Sequence, residues 1–334
     1  MWSVVAALVP AGAWSYVVFG PAVLWVIGLS VASCVVTELI CLKMRGRLAT
    51  VRDGSAVVTG LLLAYVLPSH SVAMVDGHAT LTLLKWQVPV IGGIVAIGVA
   101  KHCFGGLGHN IWNPALIGRA FVQVAFAEHV SRGAWPWPAG APDAVTQATA
   151  LSKGAGVAYT TGDLFLGYCP GSLGEVSALF LLAGAIFLMA RNYVNWRLPL
   201  GYLVALVVLA TLLAWSPRSG MPAWVGQFAG HFQALREGRM ALGGFIGDWL
   251  VFAGKQIFAG GVILGAFYMA TDMVTSPFSN KGQFIFGLGC GLLTVLLRFY
   301  SGYPEGVCYS ILLMNTVRPY IDRITRPRVL GETK

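Results

Sequence analysis

One glycine-broken apolar stretch, KHCFGGLGHNIWNPALIGRAF from Lys101 to Phe121, constrains this chain more than any other feature. It closes one long apolar segment and opens the next. Gly105, Gly106 and Gly108 cannot sustain a helix, whereas Pro114 suits the first turn of a new one. A helix broken inside a membrane leaves backbone groups unpaired, which is tolerated only where the break lines a protein-enclosed cavity. The same layout returns in RFYSGYPEGVCYSILLMNTVR, from Arg298 to Arg318. Each copy has a basic residue, a glycine four positions later, a polar break, an apolar helix and a second arginine. Lys101 then corresponds to Arg298, and Gly105 to Gly302. Two corresponding interrupted segments point to a site between inverted membrane repeats.

Composition supplies the membrane. Of 334 residues, 57% are hydrophobic and 10% charged, against about 25% charged in ordinary globular domains. Mean hydropathy is +0.72. The net charge of +9 fits Lys- and Arg-rich cytoplasmic loops rather than a nucleic-acid partner. Six cysteines are scattered with no CxxC and no Cys/His cluster, so the pattern gives no support for a protein-held metal or iron–sulfur centre. The start, MWSVVAALVPAG, lacks the basic region of a signal peptide and reads as a retained first span.

The pattern predicts an all-α polytopic membrane protein of about ten transmembrane helices with broken segments. Residues 2–42 hold two helices divided at Gly20-Pro21. The following spans are expected at 53–68, 88–104, 112–127, 173–190, 197–215, 248–270, 282–299 and 305–321. The run KMRGR with nearby Arg52 marks a cytoplasmic loop, so both termini are expected inside. Residues 69–87 and 217–247 read as outer loops. The chain divides into a first five-helix repeat (1–127), an outer loop (128–172), a second repeat (173–322) and a basic cytoplasmic tail (323–334). Spans three to five begin inside and spans eight to ten begin outside, the opposed directions that an inverted repeat requires.

Acids at membrane depth are functional candidates by default. They are Glu38, Asp53, Glu175, Asp272 and Glu305, each also readable as an ordinary interface acid. Asp53 and Asp272 adjoin broken helices, where half-helix ends and freed carbonyls can bind a cation. No hydrolytic triad, P-loop or dinucleotide fingerprint occurs, and the GLGHN run follows no strand.

The outer loop carries Asp143-Ala144-Val145-Thr146-Gln147-Ala148-Thr149. It resembles the flavinylation sequence Asp-x-x-Ser/Thr-Gly-Ala-Thr, departing from it at Gln147. Further segments resemble one family in order along the chain: DGSAVVTGLLLA (53–64), the 101–121 stretch, GSLGEVSAL (171–179), TDMVTSPFSNKG (271–282) and YPEGVCYSILLMNTVRPYID (303–322). That family, NqrB/RnfD, comprises the D subunit of the Rnf electron-transport complex and the B subunit of the Na+-translocating NADH:quinone reductase. The short N-terminus is similar to the Rnf member.

The resemblance implies a fold like that of urea channels, two inverted five-helix repeats about a pseudo-twofold axis. It implies FMN joined by a flavin transferase to Thr149 through a phosphodiester, with Asp143, Thr146 and Ala148 recognised during transfer. It also implies partner subunits bearing flavin and iron–sulfur centres, and electron transfer coupled to Na+ or H+ movement across a bacterial inner membrane. Thr149 falls on the outer side in the charge-derived topology, where such an FMN belongs. A second flavin, riboflavin, is implied for the reductase relative. Asn110, Asn113 and Arg119 are candidates to stabilise a reduced flavin by hydrogen bonds; a structural cap or pair within the repeat is the other reading of Arg119. A channel-like transporter or a cofactor-less scaffold remains the alternative of another class.

Overall fold

The computed structural model describes residues 1–46, 51–75, 78–130, 135–136, 146–147, 151, 159–175, 177–215, 223–239, 241–301 and 306–326. The first half contains α1 (Trp2–Phe19), α2 (Ala22–Met44), α3 (Ser55–Tyr65), the strands β1 (His70–Val75) and β2 (His78–Leu83), α4 (Gln87–Ile94) and α5 (Pro114–Ala125). A π-helical continuation, Val95–His102, extends α4. After α6 (Ala127–Val130), the two-residue strands β3 (Trp135–Pro136) and β4 (Thr146–Gln147), and α7 (Thr161–Leu166), the second half begins. It contains α8 (Ala178–Ala190), α9 (Arg197–Ala214), α10 (Ala223–Arg236), α11 (Leu242–Phe258), α12 (Val262–Leu264), α13 (Asn280–Tyr300) and α14 (Val307–Ile324). A second π-helical stretch, Gly265–Met269, follows α12 directly.

This is an all-α multi-pass membrane protein. Each predicted span contains a helix, yet among the described residues only α1, α2, α9 and α13 are long and apolar enough to cross alone. The pair Leu242–Phe258 and Val262–Met269, bent by 67°, is long and apolar enough only when taken together, as a broken span or a re-entrant loop. Shorter apolar helices include α3 at 11 residues and α5 at 12. A full crossing needs about 20 helical residues, so helices of this length reach only part-way. The breaks that shorten them are the glycine and polar runs seen in the sequence.

Two expected outer loops are more ordered than predicted. Residues 69–87 contain an antiparallel hairpin with His70 opposite Leu83 and Val75 opposite His78. Its strands flank Asp76-Gly77 in the sequence, a dipeptide that favours tight hairpin turns. Residues 217–247 contain α10, and α11 starts at Leu242 rather than 248. The reason is an aromatic stripe at helical spacing, Trp224, Phe228 and Phe232. Phe228 stacks on Phe252 at 4.2 Å between centroids, and Phe232 meets Phe245 edge-on at 5.4 Å.

Matching contacts recur in the two halves. Tyr65 at the end of α3 donates to the Leu8 carbonyl of α1 at 2.7 Å. Tyr268, in the π segment after α12, donates to the Leu181 carbonyl of α8 at 2.9 Å. Buried tyrosine hydroxyls need such partners, and here one holds α3 against α1 and the other holds the second π segment against α8.

The α9–α13 pair packs backbone to backbone. A Cβ added at Gly291 would lie 2.3 Å from the Tyr202 carbonyl oxygen, and one at Gly287 would lie 2.3 Å from that of Leu198. Small residues at such crossings let membrane helices approach closely. Tyr202 and Thr294 hydroxyls sit 2.6 Å apart, and Thr294 is 2.8 Å from the Ser310 hydroxyl, which ties in α14. Gly291→Val should therefore force the helices apart, costing at least the roughly 1–3 kcal/mol of ordinary overpacking. Thermal unfolding in detergent should fall for Gly291→Val and stay unchanged for Gly243→Val, where an added Cβ meets nothing within 4 Å. Equal melting of the two variants would contradict this packing.

Candidate functional site

The two central breaks converge. After the first π segment the chain turns through Gly105, Gly106 and Gly108 with φ of +127°, +104° and +90°, conformations that side-chain-bearing residues rarely adopt. Asn113 then starts α5. Its Oδ1 accepts from the Ala115 amide at 3.0 Å, and Pro114 occupies the first turn. That is ordinary N-capping, but the same side chain does more. Its Nδ2 donates to the Met269 carbonyl at 3.1 Å, where the second π segment ends. One amide thus joins the first break to the second.

Between them lies a cavity of about 320 Å³. Val58, Leu62, Leu107 and Phe267 give it apolar walls. Asn110, Asn113, Tyr268 and Thr271 add neutral hydrogen-bonding groups, and Lys101 and Asp272 add charge. Both π segments contribute to this wall. Such helical irregularities are frequent at functional sites.

Lys101 is the most constrained of these groups. It is 1% exposed, and its Nζ lies 2.7 and 2.8 Å from the two carboxylate oxygens of Glu38 on α2. The third donor goes to Ser55 Oγ at 2.7 Å. Ser55 in turn donates its hydroxyl and its amide to Asp53 Oδ1, both at 2.8 Å. All three ammonium protons are therefore used, and the chain of bonds links α2, α3 and the first π segment.

The sequence candidates divide accordingly. Asn110 and Asn113 stand on the cavity wall, whereas Arg119 is buried on α5 and is not among the residues lining it. Glu38 is neutralised by Lys101, and Asp53 caps the start of α3. Asp272 lies on the wall and accepts from Thr275 Oγ1 at 3.1 Å.

Glu175 is buried in the other half, beside Gly261. There Arg298 Nη1 donates to the Gln256 carbonyl and Nη2 to the Ala259 carbonyl, each at 2.8 Å. This guanidinium caps the end of α11 at the bend. Lys101 and Arg298, aligned by sequence, are thus both buried cations at helix breaks.

Thr146 pairs through its backbone with Pro136. Asp143, Ala148, Thr149 and Glu305 lie outside the described residues. Sequence reasoning does not single out Lys101 as a site residue. The signal is present in two opposite charges, Glu38 and Lys101, each set in an apolar segment, since intramembrane charges pair with one another.

Broken helices, a cavity at their meeting point and a buried ion pair whose lysine stands on its wall define a multi-pass membrane protein built around an internal polar site. The chain belongs to the NQR2, RnfD, RnfE family, whose pattern it matches over residues 1–331. It is 40% identical over 349 residues to the D subunit of the proton-translocating ferredoxin:NAD(+) oxidoreductase complex of Clostridium ljungdahlii, covering 99% of this chain and 91% of that one. Identity is 39% over 340 residues to the D subunit of the Na(+)-translocating ferredoxin:NAD(+) oxidoreductase complex of Acetobacterium woodii, covering 100% and 91%. It is 34% over 366 residues to the D subunit of the ion-translocating oxidoreductase complex of Stutzerimonas stutzeri, covering 99% and 91%.

Proposed function

We propose that this chain is the membrane subunit of an ion-translocating ferredoxin:NAD+ oxidoreductase, carrying covalent FMN on Thr149. The observation that carries the reading is the 40% and 39% identity, over nearly the full length, to the clostridial and acetobacterial D subunits. The Asp143–Thr149 motif adds the cofactor and its flavin transferase. The partners are then the flavin and iron–sulfur subunits of such a complex, in the cytoplasmic membrane of a bacterium. Those two relatives bear names with different ions, and the coupling ion is Na+ or H+.

The inverted-repeat architecture, ten spans with both termini cytoplasmic, draws support from two pairs of matched features. Tyr65 and Tyr268 make the same kind of bond in each half, and Lys101 and Arg298 occupy corresponding breaks. In this topology the Asn110–Asn113 cavity faces the inner half of the membrane, away from Thr149. The cavity suits a second flavin without a phosphate, that is, riboflavin. Its volume is at the lower end of the roughly 300–1,000 Å³ usual for ligand sites. Apolar walls fit the ring faces, while Asn110, Asn113, Tyr268 and Thr271 can meet the ring edge and a polyol tail. When bound, such a group accepts and passes electrons; the chain's residues hold it and exclude water.

Purification of the tagged chain from its native membranes tests the assignment. The complex should retain iron–sulfur and flavin subunits and should reduce NAD+ with reduced ferredoxin. Quinone reduction by NADH in its place would favour the alternative, the B subunit of a Na+-translocating NADH:quinone reductase. Isolation of the chain without redox partners and without flavin would favour a channel or scaffold.

A further inference from the structure

The geometry points to Lys101 and Glu38 as a pair that sets the charge accepted by the cavity, with Lys101 favouring an anionic occupant and Glu38 limiting that preference. This rests on the reading of the cavity as a flavin site. Lys101 is the one basic side chain among the described residues of the wall. Glu38 is not on the wall, so the pair presents its ammonium to the cavity and its carboxylate to α2. With all three donors committed to Glu38 and Ser55, the ammonium is fixed in place. A fixed charge beside a largely apolar cavity acts more strongly than the same charge in bulk water. Asp272, the acid on the same wall, belongs to the other break and is held by Thr275.

The redox consequence is specific. When a one-electron donor of the iron–sulfur class reduces a flavin bound here, the ring gains negative charge beside Lys101. The electron comes from that donor, and no bond in the chain is made or broken. Lys101 stabilises the reduced form, and Glu38 offsets part of the effect. Lys101 is in this sense a positioning and tuning residue rather than a catalytic one.

The test uses the full chain as Thr149→Ala, so that any flavin present is held non-covalently, and follows its reduction by spectroelectrochemical titration. Glu38→Gln leaves the ammonium uncompensated and should raise the midpoint potential. Lys101→Gln leaves the carboxylate uncompensated and should lower it. A tenfold change in the oxidised-to-reduced equilibrium, about 59 mV for one electron, is the expected scale in each direction. The double variant Lys101→Gln/Glu38→Gln carries no uncompensated buried charge. It should lie between the two single variants and somewhat below the parent, and it guards against misfolding of either single variant.

Shifts of the same sign in both single variants, or retention of flavin with no shift in any of them, would overturn the tuning role and leave the cavity reading intact. Absence of non-covalent flavin from the Thr149→Ala chain would overturn the cavity reading and this inference with it.

Discussion

Thr149→Ala should abolish all flavin fluorescence that survives denaturation of this chain on a gel. A flavin held only by contacts leaves when the fold is lost, whereas a phosphodiester persists, so the readout is close to all-or-none. Asp143→Ala should cause the same loss under the proposed flavinylation, in which that carboxylate belongs to the sequence the transferase recognises. Thr146→Ala should reduce labelling without abolishing it. Its backbone bridge to Pro136 does not depend on the side chain, so a deficit there would report recognition and not collapse of the ladder. Gln147→Gly restores the residue commoner in the motif and should leave labelling equal or higher. Peptide mass mapping would locate the adduct. Fluorescence that persists in Thr149→Ala would remove the covalent assignment, whatever the standing of the family.

Much of the architecture is legible in the sequence because the membrane imposes it. Apolar length, glycine breaks and the positions of Lys and Arg are one-dimensional properties, and they locate α1, α2, α9 and α13 close to their observed bounds. The break at 103–113 is legible for the same reason, since three closely spaced glycines can scarcely stay helical. What escapes depends on three-dimensional partners. The π segments at Val95–His102 and Gly265–Met269 differ from α-helix in hydrogen-bond spacing, which leaves no compositional trace.

Helix α10 is hard to read because Arg236 and Arg239 make its end polar and mask the Trp224, Phe228 and Phe232 stripe. The candidate site is legible in its asparagines and not in its centre. Asn110 and Asn113 stand out beside a break, while Arg119 is more conspicuous than Lys101 because it sits between apolar residues. Only packing shows that Arg119 is buried off the wall and that Lys101, from the other side of the glycine run, reaches it.

Glu38→Ala should be more damaging than removal of any other candidate acid. It leaves the Lys101 ammonium 1% exposed with Ser55 as its remaining hydrogen-bond partner. Breaking a buried ion pair by deleting one member costs roughly 3–5 kcal/mol, because the orphaned charge stays desolvated. That is a large share of a typical folding free energy of about 5–15 kcal/mol. Detergent-solubilised Glu38→Ala should accordingly unfold well below the parent in a thermal scan. Lys101→Met/Glu38→Leu removes both charges and fills the space with apolar atoms, and replacements of this kind are often neutral or stabilising. The double variant should therefore melt near the parent temperature or above it. The flavin affinity of that variant decides between two roles. If the pair existed only to hold the break closed, the apolar pair would serve as well, and flavin retention would survive with it. If Lys101 supplies charge to the cavity, the double variant folds but holds reduced flavin less tightly than the parent does. Stability and ligand charge preference then separate in one protein, and failure of the double variant to regain stability would instead show that the hydrogen bond to Ser55 carries the junction.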